Sequence, residues 1–495
     1  MSILDPYLIL GVARTASPDE VKLAYRRIAR RLHPDANPLS PGAAAQFQDI
    51  SAAYDLLMDM DRRRSYDRDS WNATSKTARF TMSATPSKRA VMPLDEPQVL
   101  YLLVELAPDT TAETKPQRRE SHVNLTLVLD RSNSMNGPRL ERVKMAAQQI
   151  IEQLGPDDVL SVIAFNDRAE VVIPATTVRD KATLKARVSL MTASGGTEIF
   201  KGLEAGLEQN RRFLAPRLVN HMILLTDGNT FGDEENSYEL ARDAAKMGIA
   251  ISAMGLGQDW NDHFLDELAS LTGGMCRYIT SSTMVVQFLN DHVRNLSSVF
   301  AERMQLSVAT DPDIKLESAF KLAPSPQPLE SSQGFMPLGS LQFSRPLTIL
   351  LQIELPAYLE VGFRTLARVA VVGDVFDQRM VRHLTLMDVA IEVTENPKPE
   401  DPPMTILDSL ARLTLYRMQE RANVALEAGN VLEATHQLER LATRLLAMGE
   451  NDLATHAQTE AGRIAQTSQV SEKGRKTLKF HTRYLLLDAS QDESR

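Results

Sequence analysis

The apolar positions of this chain change period along its length, and the changes divide it into regions. Val21, Tyr25, Ile28, Ala29 and Leu32 recur at helical spacing. Ser17 stands ready to cap that helix, with Pro18 at its first position and Glu20 at its third. Two prolines in His33-Pro34-Asp35-Ala36-Asn37-Pro38 forbid its continuation. A second stripe, Phe47, Ile50, Tyr54 and Leu57, predicts an antiparallel partner helix, so residues 1–70 read as an all-α module. Large apolar residues then become scarce, and 71–92 has the composition of a linker.

Beyond it the period shortens. His122–Asp130, Val159–Phe165, Met222–Thr226 and Ile249–Gly255 are strand-like. Helical stretches Arg139–Leu154, Lys181–Met191, Ser237–Met247 and Phe264–Leu271 alternate with them. This alternation predicts a doubly wound α/β domain over 121–300, its parallel sheet covered on both faces. Gln98–Leu106 precedes it, and Gln305–Ala309, Leu347–Leu355, Leu366–Val372 and Leu384–Val393 follow with no clear helix between them. Segments 93–120 and 301–395 are therefore expected to form an antiparallel β-sandwich into which the α/β domain is inserted.

A proline-rich run, Pro397 to Pro403, introduces helical hairpins over 405–486, with stops at Gly429 and Gly449. The stripe Val431, Ala434, Leu438, Leu441, Leu445 and Met448 reads as core rather than as a partner groove.

Charge narrows the function. With 55 basic and 64 acidic residues, the net charge of -9 speaks against nucleic acid as a partner. The single cysteine, Cys276, allows no intramolecular disulfide framework, and Met1-Ser2-Ile3-Leu4-Asp5 lacks the basic stretch of a signal peptide. No apolar run approaches the roughly 18 residues that span a bilayer. A cytoplasmic protein is expected.

The candidate chemistry is oxygen chemistry. Asp130, Ser132 and Ser134 follow the first α/β strand at spacing i, i+2, i+4. Thr197 lies in the loop Ser194-Gly195-Gly196-Thr197, and Asp227 follows the strand ending at Thr226. Open sheets place their sites at the carboxyl ends of strands, where these three segments fall. Such hard ligands suit Mg²⁺, or Mn²⁺ or Ca²⁺, and not zinc. Asp233, Glu234 and Glu235 read as a helix start. The chain has no His-Glu-X-X-His, Gly-X-X-X-X-Gly-Lys-Ser/Thr or Gly-X-Ser-X-Gly, so no enzyme is expected.

Two resemblances follow from these residues. Asp5-Pro6-Tyr7, Leu10-Gly11-Val12, the basic helix, His33-Pro34-Asp35, Ala53-Tyr54-Asp55-Leu56-Leu57 and Arg64-Ser65-Tyr66-Asp67 resemble a J-domain of the DnaJ family over about residues 4–68. Ala36 stands where the family often has lysine. The resemblance implies docking on a DnaK-type chaperone, and stimulation of its ATPase, through His33, Pro34, Asp35, Lys22, Arg26, Arg27 and Arg30. Asp130, Ser132, Ser134, Thr197 and Asp227 match, without substitution, the metal-ion-dependent adhesion site of von Willebrand factor A (VWA) domains. That implies a divalent ion held by these residues and open to an exposed Asp or Glu of a protein partner.

The sandwich around the VWA domain is similar to bacterial proteins related to chloride-channel accessory subunits, and no channel activity follows. The combination predicts a chaperone-linked scaffold. The alternative is an assembly or regulatory subunit working with an AAA+ ATPase.

Overall fold

The computed structural model describes residues 6, 10, 17–32, 41–60, 62–63, 79–109, 122–215, 218–229, 232–279, 282–296, 298–311, 313–331, 334–376 and 381–488. His33, Pro34 and Asp35 lie outside them. Helices α1 (Pro18–Leu32) and α2 (Pro41–Met58) pack through Val21, Ala24, Ile28, Ile50, Ala53 and Leu57, all buried with Leu10. Tyr25 stacks on Tyr54 with ring centroids 4.3 Å apart. Lys22 and Arg26 are exposed on α1, as its two-sided pattern requires, and Arg27 and Arg30 belong to the same helix.

Two five-stranded sheets form the sandwich. Strands β1 (Phe80–Pro86) and β2 (Ala90–Val91) fall within the stretch read as linker, which corrects that reading from residue 80 onward. Of these strands Phe80, Met82 and Val91 are buried in the sandwich core and Ala84 packs partly against it, so their sequence carries too little apolar signal to read as strand. β3 (Gln98–Pro108) pairs with β1, and sends Leu100, Leu102, Val104 and Leu106 into the core.

The chain then leaves for the α/β domain: β4 (His122–Asp130), α3 (Pro138–Gln153), β5 (Val159–Phe165), β6 (Ala169–Thr177), α4 (Lys181–Ser189), α5 (Ile199–Asn210), β7 (Leu218–Thr226), α6 (Glu234–Lys246), β8 (Ala250–Leu256), α7 (Asp262–Leu271), β9 (Cys276–Ile279) and α8 (Ser282–Leu296). It returns through β10 (Val299–Thr310), β11 (Lys315–Ala323), β12 (Gln327–Leu329), β13 (Met336–Gln342), β14 (Leu347–Leu355), β15 (Gly362–Val375) and β16 (Val381–Val393). The sandwich orders are β1-β3-β14-β11-β12 and β13-β10-β15-β16-β2, antiparallel except where β16 meets β2. The expected insertion of an α/β domain into a sandwich is thus the observed architecture.

The sheet of the α/β domain runs β6-β5-β4-β7-β8-β9, parallel except for β6 at one edge. Along β4, Leu125, Leu127 and Leu129 face α3 and α8, while Val128 faces α5, α6 and α7. Both faces are covered, which is why the strand reads as a continuous apolar run.

Four helices close the described chain: α9 (Met404–Glu427), α10 (Val431–Ala447), α11 (Asn451–Thr467) and α12 (Glu472–Asp488). Ala434, Leu438, Leu441 and Leu445 are buried against Ala454, Ala457 and Ile464, so these four positions of the α10 stripe are core, while Val431 is half-buried at its edge and Met448 is exposed. Ile406, Leu413 and Tyr416 of α9 cover Leu103, Phe320 and Leu350 on the outer face of the first sandwich sheet.

Candidate metal centre

The carboxyl ends of β4 and β7 lie side by side, Leu129 opposite Leu225, and bring Asp130 and Asp227 to one edge of the sheet. Past β4 the backbone is stitched to its neighbours. Arg131 N donates to Phe165 O at 2.8 Å, Ser194 N to Arg131 O at 2.8 Å, and Asn133 N to Gly195 O at 3.1 Å. These bonds lay the glycine-rich 194–197 loop against the Asp130–Ser134 turn, where the buried Met135 anchors a short 3₁₀ turn.

The side chains form one hydrogen-bonded chain. Asp130 Oδ1 accepts from Ser132 N at 2.8 Å, and its Oδ2 accepts from Thr226 Oγ1 at 2.6 Å. Ser132 Oγ and Ser134 Oγ are 2.9 Å apart, and Ser134 Oγ donates to Asp227 Oδ1 at 2.6 Å. Thr197 arrives from the other side: a Cβ on Gly228 would stand 3.1 Å from Thr197 Oγ1. Glycine after Asp227 is what lets the threonine hydroxyl come so close. All five residues singled out in the sequence thus lie around one point, although they span 98 positions, from 130 to 227.

Asp130, Ser132 and Asp227 are at most 2% exposed, whereas Ser134 opens to solvent. Burial pushes the Asp130 carboxyl above its ordinary range; the bonds from Thr226 and Ser132 oppose that, and the charge of Asp227 adds to it. Two buried carboxylates facing three hydroxyls are an oxygen-only donor set, and a hard divalent cation relieves their mutual repulsion. Among the described residues no three His, Cys, Asp or Glu side chains stand together as a metal site. A cation here therefore depends on the hydroxyls.

Sequence reading missed two residues of this centre. In the sequence Thr226 reads only as the end of a strand, yet its hydroxyl fixes Asp130. Arg139 donates through Nη1 to Asp227 Oδ2 at 2.5 Å and to Ser134 O at 3.3 Å. Nothing in the sequence distinguishes that arginine from a solvated helix residue. The acidic run behaves as expected: α6 begins at Glu234, and Asp233 Oδ2 accepts from Phe200 N at 3.0 Å, tying the start of α5 to it.

Fold and centre together define the class, a VWA domain protein. The von Willebrand factor type A domain description matches residues 124–292, and the DnaJ domain description matches residues 5–67. A third description, the Sll0103-like C-terminal alpha-helical domain, matches residues 404–488. The uncharacterized protein sll0103 of Synechocystis sp. is 30% identical over 376 residues, covering 74% of this chain and 88% of that one. The chain belongs to the sll0103 family, with a J-domain fused ahead of the VWA unit.

That N-terminal module is 53% identical over 68 residues to the chaperone protein DnaJ of Cereibacter sphaeroides. The match covers 14% of this chain and 18% of that one, so it spans under a fifth of the chaperone's length. Among solved structures, the von Willebrand factor type A protein from Catenulispora acidiphila superposes with a TM-score of 0.65 at 16% identity, over 83% of this chain and 97% of that one. The ArnB paralog VWA2 from Sulfolobus acidocaldarius gives 0.51 at 15% identity, over 82% and 99%. These two show the shared fold of VWA domain, sandwich and helices.

Proposed function

We propose that the protein is a cytoplasmic, chaperone-linked scaffold. Its VWA domain binds a protein partner through a divalent ion, and its J-domain brings a DnaK-type chaperone to that partner. The observation that carries this reading is the convergence of Asp130, Ser132, Ser134, Thr197 and Asp227 at the carboxyl edge of the sheet. Ser132, Ser134 and Thr197 would hold Mg²⁺ (or Mn²⁺ or Ca²⁺) directly, with Asp130 and Asp227 balancing its charge. When bound, the ion supplies an electrophilic docking point for an exposed Asp or Glu of the partner.

The protein's own residues set the rest. Thr226 orients Asp130, and the buried walls keep water from Asp227, so a contact made at the exposed Ser134 rim is strong and selective. At the other module, exposed Lys22 and Arg26 on α1, with Arg27 and Arg30 of the same helix, give the positive charge that steers an acidic chaperone surface. His33-Pro34-Asp35 would make the contact that stimulates ATP hydrolysis. In this reading the ion docks a partner and catalyses nothing. Among the described residues no helix is long and apolar enough to cross a membrane.

Two assays test the proposal. Calorimetric titration with Mn²⁺ and Mg²⁺ should show one site in the wild type and none in Asp130→Ala or Thr197→Ala. Single-turnover ATPase measurements should show stimulation of a DnaK-type chaperone by wild type and its loss in His33→Gln. Absence of metal binding by the wild type refutes the first half, and equal stimulation by both proteins refutes the second.

A further inference from the structure

Asp227 already has a cation. Its side chain is fully buried, and both of its oxygens are engaged, Oδ1 by Ser134 and Oδ2 by Arg139. Arg139 comes from the first turn of α3, directly after the Asp130–Ser134 turn, and its side chain is 45% exposed. The carboxylate cannot move to solvent. The guanidinium can, because three methylenes and a rim position let it rotate outward.

From this contact we propose that Arg139 is a resident competitor for the divalent ion and sets the metal concentration at which the site, and with it the acidic partner, is taken up. The proposal rests on the metal-site reading above and names the residue that regulates it. A divalent ion and a guanidinium both seek Asp227, and they repel each other at such short range. Seating the ion therefore requires Arg139 to release the carboxylate. The bond it gives up is a charge-assisted one to a buried acceptor, stronger than an exposed ion pair.

The surroundings of Arg139 tie this competition to the C-terminal helices. Its Nη2 lies against Gly257, where a Cβ would stand 3.5 Å away. Gly257 begins the loop between β8 and α7. Lys476 of α12 clamps the same loop, donating its ammonium to Gln258 O and, at 2.6 Å, to Trp260 O. The loop that supports the arginine is thus fastened by a different domain, and loosening the clamp loosens the competitor.

The test is Mn²⁺ affinity of the full chain, by titration calorimetry and by the electron paramagnetic resonance signal of free Mn²⁺. The proteins are wild type, Arg139→Gln, Arg139→Lys and Lys476→Met, with circular dichroism as a control on folding. Arg139→Gln should bind at least about tenfold tighter than wild type. Arg139→Lys, which keeps the charge, should stay near wild type, and Lys476→Met should fall between wild type and Arg139→Gln. Wild-type binding with unchanged or weaker affinity in Arg139→Gln overturns the competitor role while leaving the metal site standing. No Mn²⁺ uptake by wild type or Arg139→Gln overturns the metal-site reading and this inference with it.

Discussion

Arg483→Met should be among the most damaging single changes outside the apolar cores. Arg483 is 2% exposed on α12. It donates Nη1 to Asp266 Oδ1 at 2.6 Å, Nη2 to Asp266 Oδ2 at 2.7 Å, and Nη2 to Tyr416 Oη at 3.1 Å. Three elements meet there: α7 of the VWA domain, and α9 and α12 of the helical domain. With the arginine gone, Asp266 keeps Lys479, 3.6 Å away, as its one basic partner among the described residues. Removing one partner of a buried pair costs about 3–5 kcal/mol.

The carboxyl itself gives a second measure. Burial pushes it up, but the charges of Arg483 and Lys479 outweigh that and hold it at about 2, against an ordinary 3.8. That difference is on the order of 2 kcal/mol. Because the folded value is lowered, this contribution is present above the unfolded value and is lost as pH falls through about 2. Trp260 reports the seam, since its ring lies 5.8 Å from Phe480 and 4.9 Å from the Lys476 ammonium.

Urea titrations followed by tryptophan fluorescence at pH 7 should show the Trp260 transition weakened by about 3–5 kcal/mol in Arg483→Met. The paired change Asp266→Leu with Arg483→Met should recover at least about half of that loss. A single-variant loss under about 1 kcal/mol, or a pair that merely adds, would refute the reasoning.

Two other predictions concern stability. Glu302 lines a cavity of about 330 Å³ between the VWA domain and the sandwich, and burial pushes its carboxyl up to about 8. The folded state then keeps a proton that the unfolded state releases, so wild-type stability should fall as pH rises from about 4.5 to about 8. Thermal melts across that window should show a flatter profile in Glu302→Gln, and an unchanged slope would count against the assignment. A Cβ on Gly274 would stand 2.0 Å from Ile251 O, a backbone atom that cannot give way. Gly274→Ala should lower stability in urea by about 1–3 kcal/mol or more. Gly462→Ala, in α11 with nothing within 4 Å, should be neutral or stabilising, and similar midpoints for the two variants would contradict the packing argument.

Where burial covers both faces of an element, the sequence announces it. Val159–Phe165 is legible to the residue because every position is apolar or small, and Leu347–Leu355 because six of its nine positions are large and apolar. Strand β1 hides because an edge strand in which Thr81, Ser83 and Thr85 alternate with its few apolar positions looks like a tether. Strand β11 hides because Lys321 interrupts the apolar run near its end, buried and donating to Leu338 O.

The candidate centre was legible because strand ends, hydroxyls and carboxylates recur there at fixed offsets. Arg139 was not, because its value comes from a carboxylate 88 positions away. The same blindness applies to α12. Lys476, Lys479 and Arg483 share one helix face, but hydrophobic periodicity takes such a face for a solvated one. The acids that bury it, Asp262 and Asp266, lie on α7.

The clasp between α12 and α7 also has a consequence for synthesis. Asp266 precedes Arg483 by 217 residues. At translation speeds of about 5–20 residues per second, roughly ten to forty seconds separate them on the ribosome. Throughout that interval the nascent VWA domain carries two acids whose neutralising bases have yet to be made. Its α7 flank stays wet until α12 emerges and docks. Maturation of the domain is thereby timed by the arrival of a helix that belongs to another part of the molecule.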